Sequence, residues 1–311
     1  MTLPRSYFEY PRRRAGMDHE RFGYTSLFRR PPVQWPGGAR IALVVVPVLE
    51  WFPLDAMSTA APVKVVGAME RPYPDYWNYT MRDYGTRVGI YRIFKVLEDL
   101  GLPASVAINA ALARRHPFLL REITRRNWEV VAHGLDMGHL AYGGQDPEQE
   151  RAAVEKALAM LRADSGQPVS GWLSPMQSES HGTPDLLASQ GVQYTLDWNN
   201  DDLPVRMSTA HGSLYGLPFA LDTNDRSSVL DFNLSNDAYT EQLVDGFSAL
   251  WREAQQHGGR VVTVAAHSWL TGQANRIQAF RRALAAMIGH AGVWPATYSK
   301  MLQAYRTQEK T

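Results

Sequence analysis

The sequence predicts an α/β fold built on a mostly parallel sheet, and three observations carry that expectation. Strand-like and helix-like segments alternate about seven times with short connections, the pattern of a barrel or a doubly wound sheet. The run Ile41-Ala42-Leu43-Val44-Val45-Val46-Pro47-Val48-Leu49 is continuously apolar and rich in β-branched residues. A strand that reads this way is buried on both faces, as strands of parallel sheets are. No Gly/Ser linker, low-complexity tract or internal repeat interrupts the 311 residues, so one domain is expected, over 40–311, preceded by an N-terminal arm over 1–39.

In order along the chain, the arm carries Pro4, Pro11, Pro31, Pro32 and Pro36 and no periodicity. It reads as an extended segment lying on the domain or on a neighbouring subunit. Its run Arg12-Arg13-Arg14 is read as a solvated arm. After the first strand comes a loop rich in Pro and Tyr that ends near Tyr79. Residues 88–100 have helical periodicity and stop at Gly101, a natural C-terminal cap. A strand is expected at 104–108, a helix at 117–126, a strand at 128–132 and a helix at 147–164. Short strands near Gly171 and Val192 flank a helix over 184–190. A long helix over 238–257, a strand over 260–266 and a helix over 274–290 complete the reading.

Composition narrows the chemistry. The net charge is +1, which gives no electrostatic reason to expect nucleic acid or an anionic membrane as partner. There are no cysteines, so disulfides, thiolate metal sites and cysteine nucleophiles are excluded. No apolar signal segment opens the chain and no apolar stretch is long enough to span a bilayer. The expectation is a cytoplasmic protein acting on a small molecule. Gly-x-Ser-x-Gly, Walker and Gly-x-Gly-x-x-Gly patterns are all missing, which removes the corresponding nucleophile and phosphate readings.

In α/β barrels the functional side chains sit at the C-terminal ends of strands, where the βα loops converge. Glu50 follows the first strand, His133 the third, Asp197 the strand near Val192, and His267 the strand starting at Arg260. Two histidines and two carboxylates on four strand ends suit general acid–base hydrolysis: a carboxylate to activate water and an imidazole to protonate a leaving nitrogen. Arg82, Trp172, Glu179, Trp198 and Asp202 are the candidate substrate contacts. Four of them also have a plainer reading: Trp172 and Trp198 as core residues, Arg82 as the partner of a helix-start acid, Asp202 as a loop terminator and cap.

Five segments together carry a resemblance: Arg82-Asp83-Tyr84-Gly85-Thr86-Arg87-Val88-Gly89, Glu129 to Gly134, Gly171-Trp172-Leu173-Ser174-Pro175, Asp197 to Pro204, and His267 to Gln273. In this order they resemble the polysaccharide deacetylase superfamily (carbohydrate esterase family 4), and within it the branch of metal-independent allantoinases and similar cyclic-amide hydrolases. The resemblance runs from about Gly38 to Tyr305. It implies an irregular (β/α) barrel of about seven parallel strands and hydrolysis of a C–N bond in a small cyclic amide such as allantoin, a hydantoin or an imide.

The departures bear on the metal. Where metal-dependent relatives carry a second acid, this chain has Trp51 after Glu50, and Met137 stands four residues after His133. A thioether and an indole are poor ligands for Zn²⁺, so no cofactor is expected; a divalent metal such as zinc would need His133 with His139 or Glu50. Leu173 stands where the family places an arginine beside the base. The resemblance implies Glu50 as base, His133 positioning water or substrate, His267 as acid, and Asp197 orienting His267. A metal-dependent N-deacetylase of amino sugars and an inactive ligand-binding relative are the alternative readings. The aromatic segment 73–79 and the arm suggest subunit contacts, hence a homo-oligomer.

Overall fold

A computed structural model of the chain describes residues 17–54, 74 and 76–309. The run Arg12–Arg14, with Pro4 and Pro11, and the loop positions Met57 and Tyr73 lie outside the described residues.

Among the described residues nine strands form one sheet: β1 (Ile41–Leu49), β2 (Ser105–Ile108), β3 (Glu129–Ala132), β4 (Gly171–Trp172), β5 (Tyr194–Thr195), β6 (Val205–Thr209), β7 (Gly212–Gly216), β8 (Arg260–His267) and β9 (Val293–Pro295). Their order is β6-β7-β5-β4-β3-β2-β1-β8, with β9 paired to β1. Every pairing is parallel except the β6–β7 hairpin. The chain after β7 closes the ring: Asn224 bridges Ala265 of β8, and Ala265 donates its amide to the Thr223 carbonyl at 3.1 Å. The result is the irregular (β/α) barrel expected, with helices α1 (Tyr76–Tyr84), α2 (Ile90–Asp99), α3 (Ala110–Arg115), α4 (Pro117–Arg125), α5 (Pro147–Ser165), α6 (Thr183–Ser189), α7 (Asn236–His257), α8 (Ile277–Ile288) and α9 (Tyr298–Gln308) around it.

The first strand is the keel. All nine of its residues are buried. Ile41 to Val48 register against Arg260 to His267 of β8. On its other edge the N-terminal part pairs with β9 and the C-terminal part with β2. Because side chains alternate across a strand, Ile41, Leu43 and Val45 enter the layer under the helices, with Phe94, Leu97 and Phe280. Ala42, Val44, Val46 and Val48 enter the barrel interior, with Tyr194, Leu217 and Tyr298. A continuous apolar run is what two buried faces require.

The β6–β7 hairpin, β9, α3 and α9 were not foreseen, nor was α1, which begins at Tyr76 inside the stretch read as loop. In β6 only Met207 is buried, so the hairpin lacks a strong alternating signal. Residues 17–39 of the arm lie on the barrel. Trp35, 2% exposed, donates its indole N–H to the Arg260 carbonyl at 2.9 Å. Arg21 makes a bidentate pair with Asp185, 2.8 Å to each oxygen.

Candidate active site

Glu50, His133 and His267 come from the ends of three strands that lie side by side in the sheet, or one strand removed, so the parallel register delivers all three to one mouth of the barrel. Glu50 and His267 are neighbours because Val48 registers with His267. Glu50 Oε1 stands 3.9 Å from His133 Nε2 and 3.9 Å from His267 Nε2. The separation is too long for direct hydrogen bonds, but a small polar group seated beside Glu50 Oε1 and either imidazole could bridge the two. All three side chains are buried, between 3% and 7% exposed.

Each is held from behind. His133 Nδ1 lies 2.8 Å from the Leu173 carbonyl. Glu50 Oε2 accepts the Trp269 indole N–H at 2.7 Å. His267 Nδ1 lies 2.6 Å from Asp225 Oδ1, and its backbone N–H donates to Asp225 Oδ2 at 2.8 Å. Thr271 donates its hydroxyl to the same Oδ2 at 2.6 Å. Burial alone would depress the His267 imidazole, but the carboxylates of Asp225 and Glu50 reverse this and raise its pKa above the usual 6.5. Burial would likewise raise Glu50; the charge of His267 and contacts from His133 and Trp269 outweigh it and hold the carboxyl at about 2. Proton donor and carboxylate thus stabilise each other's charged forms.

Arg82 is brought to this site. It is 5% exposed, with its guanidinium 4.7 Å from the Trp269 ring centre and 4.1 Å from that of Phe52, so a cation stacks on the ring that holds Glu50. The motif glycines explain the approach. A π-helical turn over Gly85–Gly89 joins α1 to α2. A Cβ on Gly85 would lie 2.6 Å from Ser268 Oγ and from the Trp269 amide nitrogen, and one on Gly89 would fall on the Ser268 carbonyl oxygen. Gly272 meets Gly89 the same way. Only glycines allow the Arg82 helix to lie backbone-to-backbone on the loop that follows His267.

The remaining expected contacts go elsewhere. Asp197 does not orient His267. It lies at the end of β5, taking the Ser174 amide on Oδ1 and the Thr195 hydroxyl on Oδ2, each at 2.7 Å. Its partner is Glu179, whose Oε2 accepts the Trp198 indole at 2.9 Å. Burial first and the Asp197 charge second push the Glu179 carboxyl well up, and burial raises Asp197 as well, so the pair favours holding a proton between its two carboxyls. Trp198 packs on His19 and Phe22 of the arm, ring centres 5.0 and 5.7 Å away. Trp172 is 3% exposed in the layer under the helices and donates to Ser174 Oγ at 2.9 Å. Asp202 is at the opposite end of the barrel, where its carbonyl accepts the Val261 amide at 3.1 Å. Val261 is the second residue of β8 and His267 the last, about 20 Å apart at a strand's rise. The Asp-Asp-Leu-Pro run directs the chain toward the start of β8, away from the mouth.

Two positions were missed. Asp225, the orienter of His267, lies in the irregular segment that closes the barrel after a weakly patterned hairpin, where no strand end was marked. Asn109 was within reach of the strand-end rule, since it follows β2 directly. Fully buried, it accepts the Trp51 amide at 2.6 Å on Oδ1 and donates from Nδ2 to the His133 carbonyl. One side chain thus ties the segment after Glu50 to His133.

The donor set does not suit a metal. Among the described residues no group of three or more His, Asp or Glu side chains is arranged to hold one. Trp51 turns its ring toward Tyr79 and His116, with Arg115 stacked on it at 4.6 Å. Met137 is buried and offers only a thioether. His139 gives Nδ1 to Asp136 Oδ1 at 2.7 Å.

Residues 77–195 match the polysaccharide deacetylase family. Among solved structures, that of PuuE allantoinase superposes with a TM-score of 0.80 at 26% identity, covering 97% of this chain and 99% of its own. A probable polysaccharide deacetylase from Pseudomonas aeruginosa PAO1 superposes with a TM-score of 0.77 at 26% identity, covering 91% of this chain and 96% of its own. No curated protein sequence matches the chain.

Proposed function

We propose, from the premise that the chain belongs to the polysaccharide deacetylase superfamily and shares the architecture of an allantoinase, that it opens a small cyclic amide by hydrolysis of a ring C–N bond. The observation that carries this reading is the Glu50 carboxylate set 3.9 Å from each of two imidazoles, one of them backed by Asp225, which favours its charged form. The cluster offers a site for the attacking water next to a group ready to protonate a departing nitrogen.

His267 is the acid, with Asp225 fixing its tautomer and supporting its charge. Arg82, stacked between Phe52 and Trp269, supplies positive charge toward a carbonyl or carboxylate of the substrate. Allantoin, hydantoins and cyclic imides carry activated nitrogen leaving groups, which suits a site that works through protein acids and bases. No step requires a metal.

The test is a ring-opening assay on allantoin, hydantoins and cyclic imides, with N-acetylglucosamine oligomers alongside, on protein dialysed against a chelator. Ring opening that persists at the untreated rate is expected. Acetate release that disappears with the metal would replace this reading with a metal-dependent deacetylase. Exposed Tyr76 and Trp77 at the start of α1 support self-association, checked by the mass in solution.

A further inference from the structure

We propose that the proton acceptor for the attacking water is Nε2 of His133, and that Glu50, between the two imidazoles, is the bridge that returns the proton to His267. The inference rests on the cyclic-amide reading and assigns the base that reading leaves open.

The tautomer is set by the backbone. A carbonyl oxygen has no proton to give, so the 2.8 Å contact between His133 Nδ1 and the Leu173 carbonyl places the neutral ring's single proton on Nδ1. Nε2 is left as a bare lone pair. That atom is buried and has no hydrogen-bond partner, and such an atom in a native fold asks for an occupant. The nearest charged atom it faces is Glu50 Oε1 at 3.9 Å. Glu50 itself is poorly suited to take a proton from water. One oxygen is committed to the Trp269 indole, and the carboxyl is held at about 2 chiefly by His267 against the effect of burial. Effective general bases have basicities closer to the working pH.

The surroundings fit one assignment. From β1 the ring faces Glu50, and from β8 His267 backed by Asp225. The β2 and β4 sides present the neutral Asn109 amide and the Leu173 carbonyl. Arg82 stands beyond Trp269.

The steps balance. Water gives a proton to His133 Nε2 as its oxygen bonds to the ring carbonyl carbon and the C=O pair moves onto oxygen. Collapse restores C=O and breaks the C–N bond, and the nitrogen takes the Nε2 proton of His267. His133 is then protonated and His267 neutral. A proton passing from His133 to Glu50 Oε1 and on to His267 Nε2 restores both, while the new carboxylic acid ionises to solvent.

Two measurements on the full-length protein test this. Imidazole ¹⁵N NMR near neutral pH should show His133 with Nδ1 protonated and Nε2 bare, assigned by loss of its signals in His133→Gln; an Nε2–H tautomer overturns the proposal. The kcat/KM for hydantoin opening should fall tenfold per pH unit on the acid side, as loss of a single proton acceptor requires. That limb should vanish in His133→Gln, with the rate down about a hundredfold or more, and persist in Glu50→Gln at a reduced rate. A wild-type profile flat to about pH 4, where carboxylates titrate, would make Glu50 the base and overturn the assignment. A chain that opens no ring yet shows the bare Nε2 retains the acceptor and refutes the cyclic-amide substrate instead.

Discussion

Asp225 is fully buried and takes three hydrogen bonds, two from His267 and one from Thr271, so the charge of His267 depends on it more than on any other group. Asp225→Asn keeps the shape and removes the charge. We expect kcat to fall about a hundredfold or more, with the alkaline limb of the pH profile displaced to lower pH. An unchanged limb would mean that His267 is not the acid. The same residues give stability a pH signature. His267 has a folded pKa above 6.5, so its contribution is complete below about 6.5 and fades as pH rises through the folded value. Glu50, held at about 2, contributes above about 4.5 and loses that contribution as pH falls toward 2. Urea midpoints should therefore be highest in the mildly acidic window between, and Glu50→Gln should make the acid-side slope shallower. At this scale the sequence exposed much of the site, because Glu50, His133 and His267 each directly end or follow a strand. It hid Asp225, which serves the site from a segment with no period.

The elements meet the site through three glycines. Gly89 and Gly272 touch backbone to backbone beneath the loop that follows His267. Gly89→Ala or Gly272→Ala should cost about 1–3 kcal/mol through overpacking, read as a lower denaturation midpoint, and should depress activity further by shifting Trp269 off Glu50. Gly143→Ala is the control, since a Cβ there meets nothing within 4 Å; equal losses in all three would show that the close approach has no special role. The helices around the barrel were largely legible from their periodicity and caps, such as Asp146, which accepts the Glu148 amide at the start of α5. The π-helical turns over Gly85–Gly89 and Ser227–Asp231 were not. They arise from tertiary contact, and both adjoin residues of the site, Arg82 and Asp225.

Over the whole molecule, the arm reaches both ends of the barrel. Near its start His19, Arg21 and Phe22 lie against Trp198 and α6; near its end Trp35 closes the far side over Arg260. Trp35→Ala should destabilise the fold by about 3–5 kcal/mol, measured by calorimetry, with little change in KM because the site lies at the other mouth. A large change in KM at unaltered stability would assign the arm to the site. The barrel was legible from the alternation of elements and the fully apolar first strand. Its closure was not, since residues 219–225 complete the ring with one bridge and scattered hydrogen bonds in place of a strand.

The pairing of β1 with β8 joins Ile41 to Arg260, about 220 residues further along the chain. On the ribosome the most apolar strand is therefore made long before its principal partner, and until β8 emerges that edge stays unpaired. Chains released before residue 267 should aggregate in cell-free translation, and a supplied holdase chaperone should keep them soluble. Chains released past α9 should need no such help. The strand that organises the native barrel is also the segment that governs how safely the protein is made.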